Sequence, residues 1–158
     1  MEQDELIKRL KEEFEKTKAD LGFQSTYEEI EAISFIEDDI AARKYIIPKF
    51  HRYLCHRIVD TLNSWNGYLH GIVLPNPASM IAQTESSLFD EEEKKKLMKL
   101  MNKIMFQVSK NTVSGLTKDK KEMAELIDSS VKLWNEELNP ELQKVMKKIR
   151  KYWEKESQ

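Results

Sequence analysis

Apolar residues recur every three or four positions along most of this chain, which is the period of an amphipathic α-helix. The first such stretch runs from about Asp4 to Leu21, and Gly22 follows it as a C-terminal signal. Its apolar stripe is narrow and its other faces are heavily charged. We therefore expect the amphipathic helix within residues 1–22 to lie at the edge of a bundle or to face a partner helix.

Capping residues predict where the later helices begin and end. Ser25 and Thr26 each precede a glutamate by three residues, the spacing of a capping box, and this second helix must end before Pro48. The third helix begins at Pro48 and ends at Gly67 or Gly71. The remaining predicted elements are a fourth helix from Asn76-Pro77 through Phe89, a fifth from Asp90 to about Gly115, a sixth from Lys118 or Asp119, and a seventh from Asn139-Pro140.

The frequency of glycine and proline indicates the fold class. The chain has only 4 Gly and 4 Pro in 158 residues, too few for the frequent turns of an all-β protein. Short connections between consecutive helices favour antiparallel packing of neighbours. The sequence therefore predicts an all-α fold, an antiparallel multi-helix bundle of six to seven helices, as a single domain over residues 1–158.

Composition narrows the class of protein further. Hydrophobic residues make up 40% of the chain and charged residues 34%, as in a folded globule rather than a disordered segment. No apolar run approaches the roughly 20 residues of a membrane span, and the acidic start over residues 1–5 is unlike a secretory signal. Cys55 is the only cysteine, which excludes an intramolecular disulfide and a CxxC metal motif. These features predict a soluble, cytoplasmic protein without a transmembrane segment.

Two neighbouring helices each place a polar side chain within an otherwise apolar arc. These side chains are Glu37 on the second helix and His51 on the third, with Cys55 one turn after His51. Because a short connection joins the two helices, Glu37 and His51 are candidates for a catalytic acid–base pair. With Cys55 they are also candidate ligands of a divalent metal. The alternative is a hydrogen-bonded core histidine beside a cysteine that serves as a small apolar residue.

Acidic residues suggest a second kind of metal-dependent enzyme. All-α nucleotide pyrophosphohydrolases of the MazG type bind Mg²⁺ through one helix with E-E-x-x-E and a following helix with E-x-x-D, and this chain partly resembles them. Residues 28–31, Glu-Glu-Ile-Glu, depart from the first spacing, and the third helix offers only Asp60. Glu125 and Asp128 keep the second spacing but lie far downstream. The resemblance implies a nucleotide hydrolase, and the alternative is a solvated or partner-facing acidic surface.

Charge is distributed unevenly along the chain, although its net value is only −2. Residues 1–42 hold 13 acids and 5 bases, whereas residues 140–158 hold 6 bases and 3 acids. One arc of the seventh helix carries Lys144, Lys147, Lys148, Lys151 and Lys155. A basic amphipathic helix of this kind is typical of contact with phosphates or anionic membranes, and the alternative is a solvated or internally neutralised lysine face.

Two further segments are candidates for binding. Residues 65–77 concentrate aromatic, Gly and Pro residues, which predicts a loop with Asn66, Tyr68 and His70 as polar ligand candidates, or else a tightly packed crossover. The fifth helix carries several methionines, Met98 and Met105 among them, within a wide apolar band. We interpret that band as bundle core, with an adaptable partner surface as the alternative.

Three classes of function are consistent with these patterns. No GxSxG, glycine-rich phosphate loop, HExxH or paired ExxH motif occurs, which leaves open whether the chain is an enzyme. The first hypothesis is a non-catalytic helical interaction protein that binds a macromolecule, principally protein, or self-associates, without a cofactor. The second is a small metal-dependent enzyme of the nucleotide hydrolase type with an interior site near Glu37 and His51. The third is a nucleic-acid-binding protein that uses the basic C-terminal helix. Partner identity and oligomeric state are not determined by the sequence.

Overall fold

Two long helices form the centre of the molecule in a computed structural model that describes residues 2–158. All regular elements in that range are helical: α1 (Gln3–Leu21), α2 (Tyr27–Ser34), α3 (Ile36–Arg43), α4 (Phe50–Val73), α5 (Met80–Ser87), α6 (Glu91–Thr117), α7 (Lys120–Leu133), a π-helical segment (Trp134–Leu138) and α8 (Asn139–Glu156). The most extensive pairing joins α4 to α6, and α6 also packs on α7. The predicted all-α multi-helix bundle is confirmed.

The core extends across nearly every helix. The apolar stripe of α1, including Leu10 and Phe14, is fully buried against α3, α4 and α7. The Phe14 ring makes edge contacts with Phe23 and Tyr27, at centroid distances of 5.6 and 5.2 Å. This packing leaves the charged outer face of α1, and not its apolar stripe, exposed for any partner. No helix within residues 2–158 is both long enough and apolar enough to cross a membrane.

The predicted second helix is divided at Phe35. Thr26 caps its start with the predicted capping box to Glu29, but α2 ends after eight residues. Phe35 adopts a left-handed conformation (φ 51°, ψ 50°), and α3 begins at the next residue. A bulky residue rarely adopts this conformation, so local sequence preferences did not predict the break.

The third predicted helix is longer than its glycines indicated. Gly67 and Gly71 lie inside α4, which continues to Val73. Glycine costs about 1 kcal/mol in a helix interior, but burial of Leu69 and Ile72 on the same helix outweighs that cost. The start of the following helix was also placed too early, because Ser79 and not Asn76 caps α5.

The helix boundary predicted at Asn139-Pro140 is absent, because the helical backbone continues through these residues without a break. The chain passes from α7 through the π-helical segment into α8, and the Asn139 N–H donates to the Trp134 carbonyl. Pro140 lies in the first turn of α8, directly after the π-helical segment. Asp90 caps α6 as predicted, and Asp119, one of the two predicted starts of the next helix, caps α7.

Candidate functional site

The outer face of α6 carries a row of exposed side chains without a charge, which we name the α6 stripe. At 100° per residue its members fall within an arc of about 120° and extend for ~27 Å along the helix. They are Met98, Asn102, Met105, Phe106, Ser109, Thr112, Val113 and Leu116. The five apolar members are between 47% and 79% exposed. A contiguous exposed apolar patch of this kind is typical of a binding surface.

The hydroxyl groups of the α6 stripe are already satisfied within their own helix. Ser109 Oγ donates to the Phe106 carbonyl at 2.7 Å, and Thr112 Oγ1 donates to the Val108 carbonyl at 3.3 Å. A contact that excluded water from these positions would leave neither donor unpaired. These two hydroxyl groups are therefore compatible with a dry interface.

Charged residues border the α6 stripe, and the ammonium group of one of them, Lys110, lies over a ring of the stripe. Lys103 and Lys110 lie along one side, and each forms an ion pair with a glutamate from the α7–α8 run. The Lys110 ammonium also lies 4.5 Å from the centre of the Phe106 ring. At the Met98 end of the stripe, the acidic residues 91–93 are followed by the basic residues 94–96, and the lysine-rich residues 118–121 follow the other end. Both ends of the stripe therefore adjoin basic residues.

The interpretation of the α6 methionines as bundle core was wrong for two of them. Met98 and Met105 are about half exposed, while Met101 packs against the core. The inner face of α6 is instead formed by Leu97, Leu100 and Ile104. The wide apolar band was the available signal, because it holds more apolar positions than one buried face needs. Phe106, Val113 and Leu116 were not singled out from the sequence.

Glu37 is hydrogen-bonded rather than unpaired. The Tyr27 hydroxyl donates to Glu37 Oε1 at 2.7 Å, and the Glu37 backbone N–H donates to Glu31 Oε2 at 3.1 Å. Burial, and then the hydrogen bond to Glu37, raises the pKa of Tyr27 far above its usual value. Burial also raises the pKa of Glu31. These contacts join the start of α2 to α3, which is a sufficient structural reason for the position of Glu37.

His51 and Cys55 lie on α4 in different surroundings. His51 is half-buried, and Cys55 is completely buried in the core. Burial raises the pKa of the Cys55 thiol to about 11, against the opposing charge of Arg52. Reactive and metal-binding cysteines have lowered pKa values, so Cys55 has the properties of a core residue. No three His, Cys, Asp or Glu side chains among residues 2–158 are grouped as a metal site, and an acid–base role of Glu37 and His51 stays a prediction.

The loop predicted to hold Asn66, Tyr68 and His70 is absent, because all three residues lie within α4. Asn66 Nδ2 lies 3.3 Å from Met105 Sδ, and its Oδ1 is buried without a hydrogen-bond partner among the described residues. Tyr68 packs edge-on against Trp65, and burial raises its pKa. His70 is exposed. Asn66 and His70 lie one turn apart on the same side of α4, whereas Tyr68 lies on the opposite side, so the three side chains do not line one ligand site.

Two acidic residues whose spacing suggested a nucleotide hydrolase make contacts that hold the fold together. Asp128 on α7 accepts hydrogen bonds from the backbone N–H groups of Gln24 and Ser25 and from the Ser25 hydroxyl, at 2.6–3.1 Å. Glu125 pairs with Lys110 at 2.8 Å. Asp128 therefore holds the connection before α2 against α7, more than one hundred residues away in sequence.

Two of the five lysines on α8 lie against acidic side chains. Lys148 pairs with Glu93 of α6 at 3.0 Å, and Lys144 lies 3.9 Å from Glu141. Lys147, Lys151 and Lys155 are exposed. The neutralising acids come from α6 and α8 rather than from the acidic N-terminal region. Binding of a polyanion by this face stays a prediction.

A polar cluster between α4 and α6 was not anticipated. Arg52 donates to Ser114 Oγ at 3.2 Å and to the side-chain oxygen of Asn111 at 3.1 Å. His56 Nδ1 lies 3.2 Å from Asn111 Nδ2, and Gly115 faces the guanidinium, where a Cβ atom would come within 2.9 Å. Asn111 and Ser114 are both buried. The cluster fixes the alignment of the two central helices, because these polar groups find partners in only one register.

Comparisons with protein families, with characterised proteins and with solved structures found no match for this chain. No family membership therefore informs its function.

Proposed function

We propose that this chain is a non-catalytic protein-binding module that acts through the α6 stripe, and that the bound protein is a second copy of the same chain. The observation that carries the proposal is the uncharged, exposed apolar face of α6 between Met98 and Leu116. The chain is otherwise rich in charge, with 34% charged residues, so this face stands apart from the rest of the exposed surface.

A two-fold dimer suits this face because the same patch then serves both copies. Two α6 helices related by a two-fold axis across the stripe run antiparallel. Met98 of one copy then approaches Leu116 of the other, and the two Phe106 rings lie near the axis. Aromatic residues and methionine are enriched at the centres of protein interfaces.

The experiment is sedimentation equilibrium over ~1 μM to 1 mM protein, a range that covers weak and moderate dimers. We expect the wild-type mass to rise with concentration towards twice the 18.7 kDa of one chain. Phe106→Lys should remain monomeric, because pairing would bury its charge near the axis. It should keep the wild-type melting temperature measured at a concentration where both proteins are monomeric.

Met80→Lys is the matched control. Met80 is 83% exposed but lies on α5, outside the stripe, so this variant should associate as the wild type does. A wild-type chain that stays monomeric throughout the range would contradict the proposal that a second copy occupies the stripe. That result would contradict it even if a different protein binds there.

A further inference from the structure

An aromatic pocket lies on another part of the molecule, where α2 ends, α4 passes and the π-helical segment joins α8. Its walls are the rings of Phe35, Trp65 and Trp134, and its rim carries Asn139, Gln143 and Met146. The cavity volume is about 270 Å³. No side chain that lines it is charged. We propose that this pocket binds a small, neutral, flat ligand with two fused rings and one hydrogen-bonding group.

The backbone at Phe35 is the first argument for a ligand. Phe35 has a φ of 51° and its side chain is 55% exposed at the pocket. Glycine or asparagine takes this conformation with less strain, and a buried phenyl ring would stabilise the core more. Neither the local conformation nor core packing explains a phenylalanine here. A ring held at the pocket wall is explained if it stacks on a ligand.

The second argument is the π-helical segment. It begins at Trp134, and π-helical turns occur frequently at functional sites, where they reorient side chains. The Trp134 and Trp65 rings lie 6.5 Å apart with 43° between their planes, so they form a tilted pair of walls. Two such rings offer flat apolar faces to a ligand.

The polar groups at the rim indicate the chemistry of the ligand. Gln143 Nε2 donates to Asn139 Oδ1 at 3.3 Å, across one turn of α8. The Gln143 oxygen and the Asn139 amide N–H groups make no other hydrogen bond to a described residue. They can therefore accept one hydrogen bond and donate one to a ligand. Because the lining provides no counter-charge, an ion would lose hydration without compensation.

The volume sets the size of the ligand. A cavity of about 150 Å³ accommodates a single benzene ring, so about 270 Å³ accommodates two fused rings. The volume of this pocket lies below the ~300–1,000 Å³ of pockets that bind drug-sized molecules.

The test is titration of the full chain with 5-fluoroindole, a neutral two-ring probe with one N–H donor, followed by fluorine NMR. We expect saturable binding to a single site. Ala32→Trp should weaken it at least tenfold, because Ala32 is an exposed residue of the lining and a large ring there fills the pocket. Tyr45→Ala is the matched control, and it should leave binding unchanged because it removes an exposed ring outside both the pocket and the α6 stripe.

Phe35→Gly separates a ligand role from a structural one. The variant should melt at the same temperature as the wild type or higher, since glycine relieves the left-handed strain. It should nevertheless bind 5-fluoroindole several-fold more weakly. A lower melting temperature with unchanged binding would make Phe35 structural and overturn its role in the pocket.

A cationic probe tests the charge of the ligand, since aromatic walls also bind quaternary ammonium groups. 4-Fluorophenyltrimethylammonium should bind at least tenfold more weakly than 5-fluoroindole. Tighter binding of the cation would overturn a neutral ligand. No saturable binding of 5-fluoroindole, or binding unaffected by Ala32→Trp, would overturn the pocket as its site.

Discussion

Some single residues hold together parts of the chain that are far apart in sequence. Asp128 is the clearest case, because one carboxylate accepts three different donors from Gln24 and Ser25. From the sequence alone, Glu125 and Asp128 only suggested a metal-binding spacing. A carboxylate that satisfies a remote loop cannot be recognised from spacing, since its partners are about one hundred residues away.

Asp128→Ala should lower the free energy of unfolding by about 2–4 kcal/mol, because charge-assisted hydrogen bonds are lost and two backbone N–H groups lose their acceptor. Chemical denaturation monitored by circular dichroism measures the change. Asp60→Ala, which removes an exposed acid from α4, should change stability by less than about 0.5 kcal/mol. Equal effects of the two substitutions would contradict the structural role of Asp128.

Cys55 gives a second prediction at this scale. Burial raises the pKa of its thiol to about 11, so the reactive thiolate is scarce below pH 9 and the sulfur is inaccessible. Native protein at pH 8 should react with Ellman's reagent at least ~100-fold more slowly than protein in guanidinium chloride, a limit set by the rarity of global unfolding. Reaction of the native chain at the rate of a free thiol would contradict burial of Cys55.

The sequence was most informative about where individual helices begin and end. Capping boxes at Thr26 and Asp90 and the αL residue Gly22 were read correctly, because each acts through neighbours within four residues. The break at Phe35 and the continuation of α4 past Gly71 to Val73 were not predicted. The continuation of α4 depends on tertiary packing that overrides the local preference of glycine, whereas Phe35 adopts a backbone conformation that its residue type disfavours.

The alignment of α4 and α6 depends on Arg52 and Asn111. Single alanine substitutions should each destabilise the fold, and the double substitution should cost less than their sum, with a coupling energy of about 1–2 kcal/mol. Denaturation of all four proteins in a double-mutant cycle measures this coupling. Arg52→Ala combined with Asn102→Ala, an exposed change farther along α6, should be additive. Additivity in both cycles would contradict the proposed alignment contact.

The whole molecule presents charge on most of its surface. Among residues 2–158, the ion pairs of α8 do not join this basic helix to the acidic N-terminal region. Those ion pairs join it to α6 instead, through Lys148 and Glu93 and through Lys96 and Glu141. Between these charges the α6 stripe is a continuous uncharged surface. The exposure of this stripe could not be predicted from the sequence. The spacing of apolar residues shows that α6 has two apolar arcs, but it does not show which arc faces the core.

Disulfide cross-linking is the most direct test that the α6 stripe pairs with a second copy. Since Cys55 is buried, Ser109→Cys introduces the only accessible thiol, close to the proposed two-fold axis. Mild oxidation of dilute protein should convert this variant to a covalent dimer within minutes. Ser87→Cys, exposed on α5, should remain monomeric under the same conditions. Equal cross-linking of the two variants, or none at Ser109→Cys, would contradict the proposed interface.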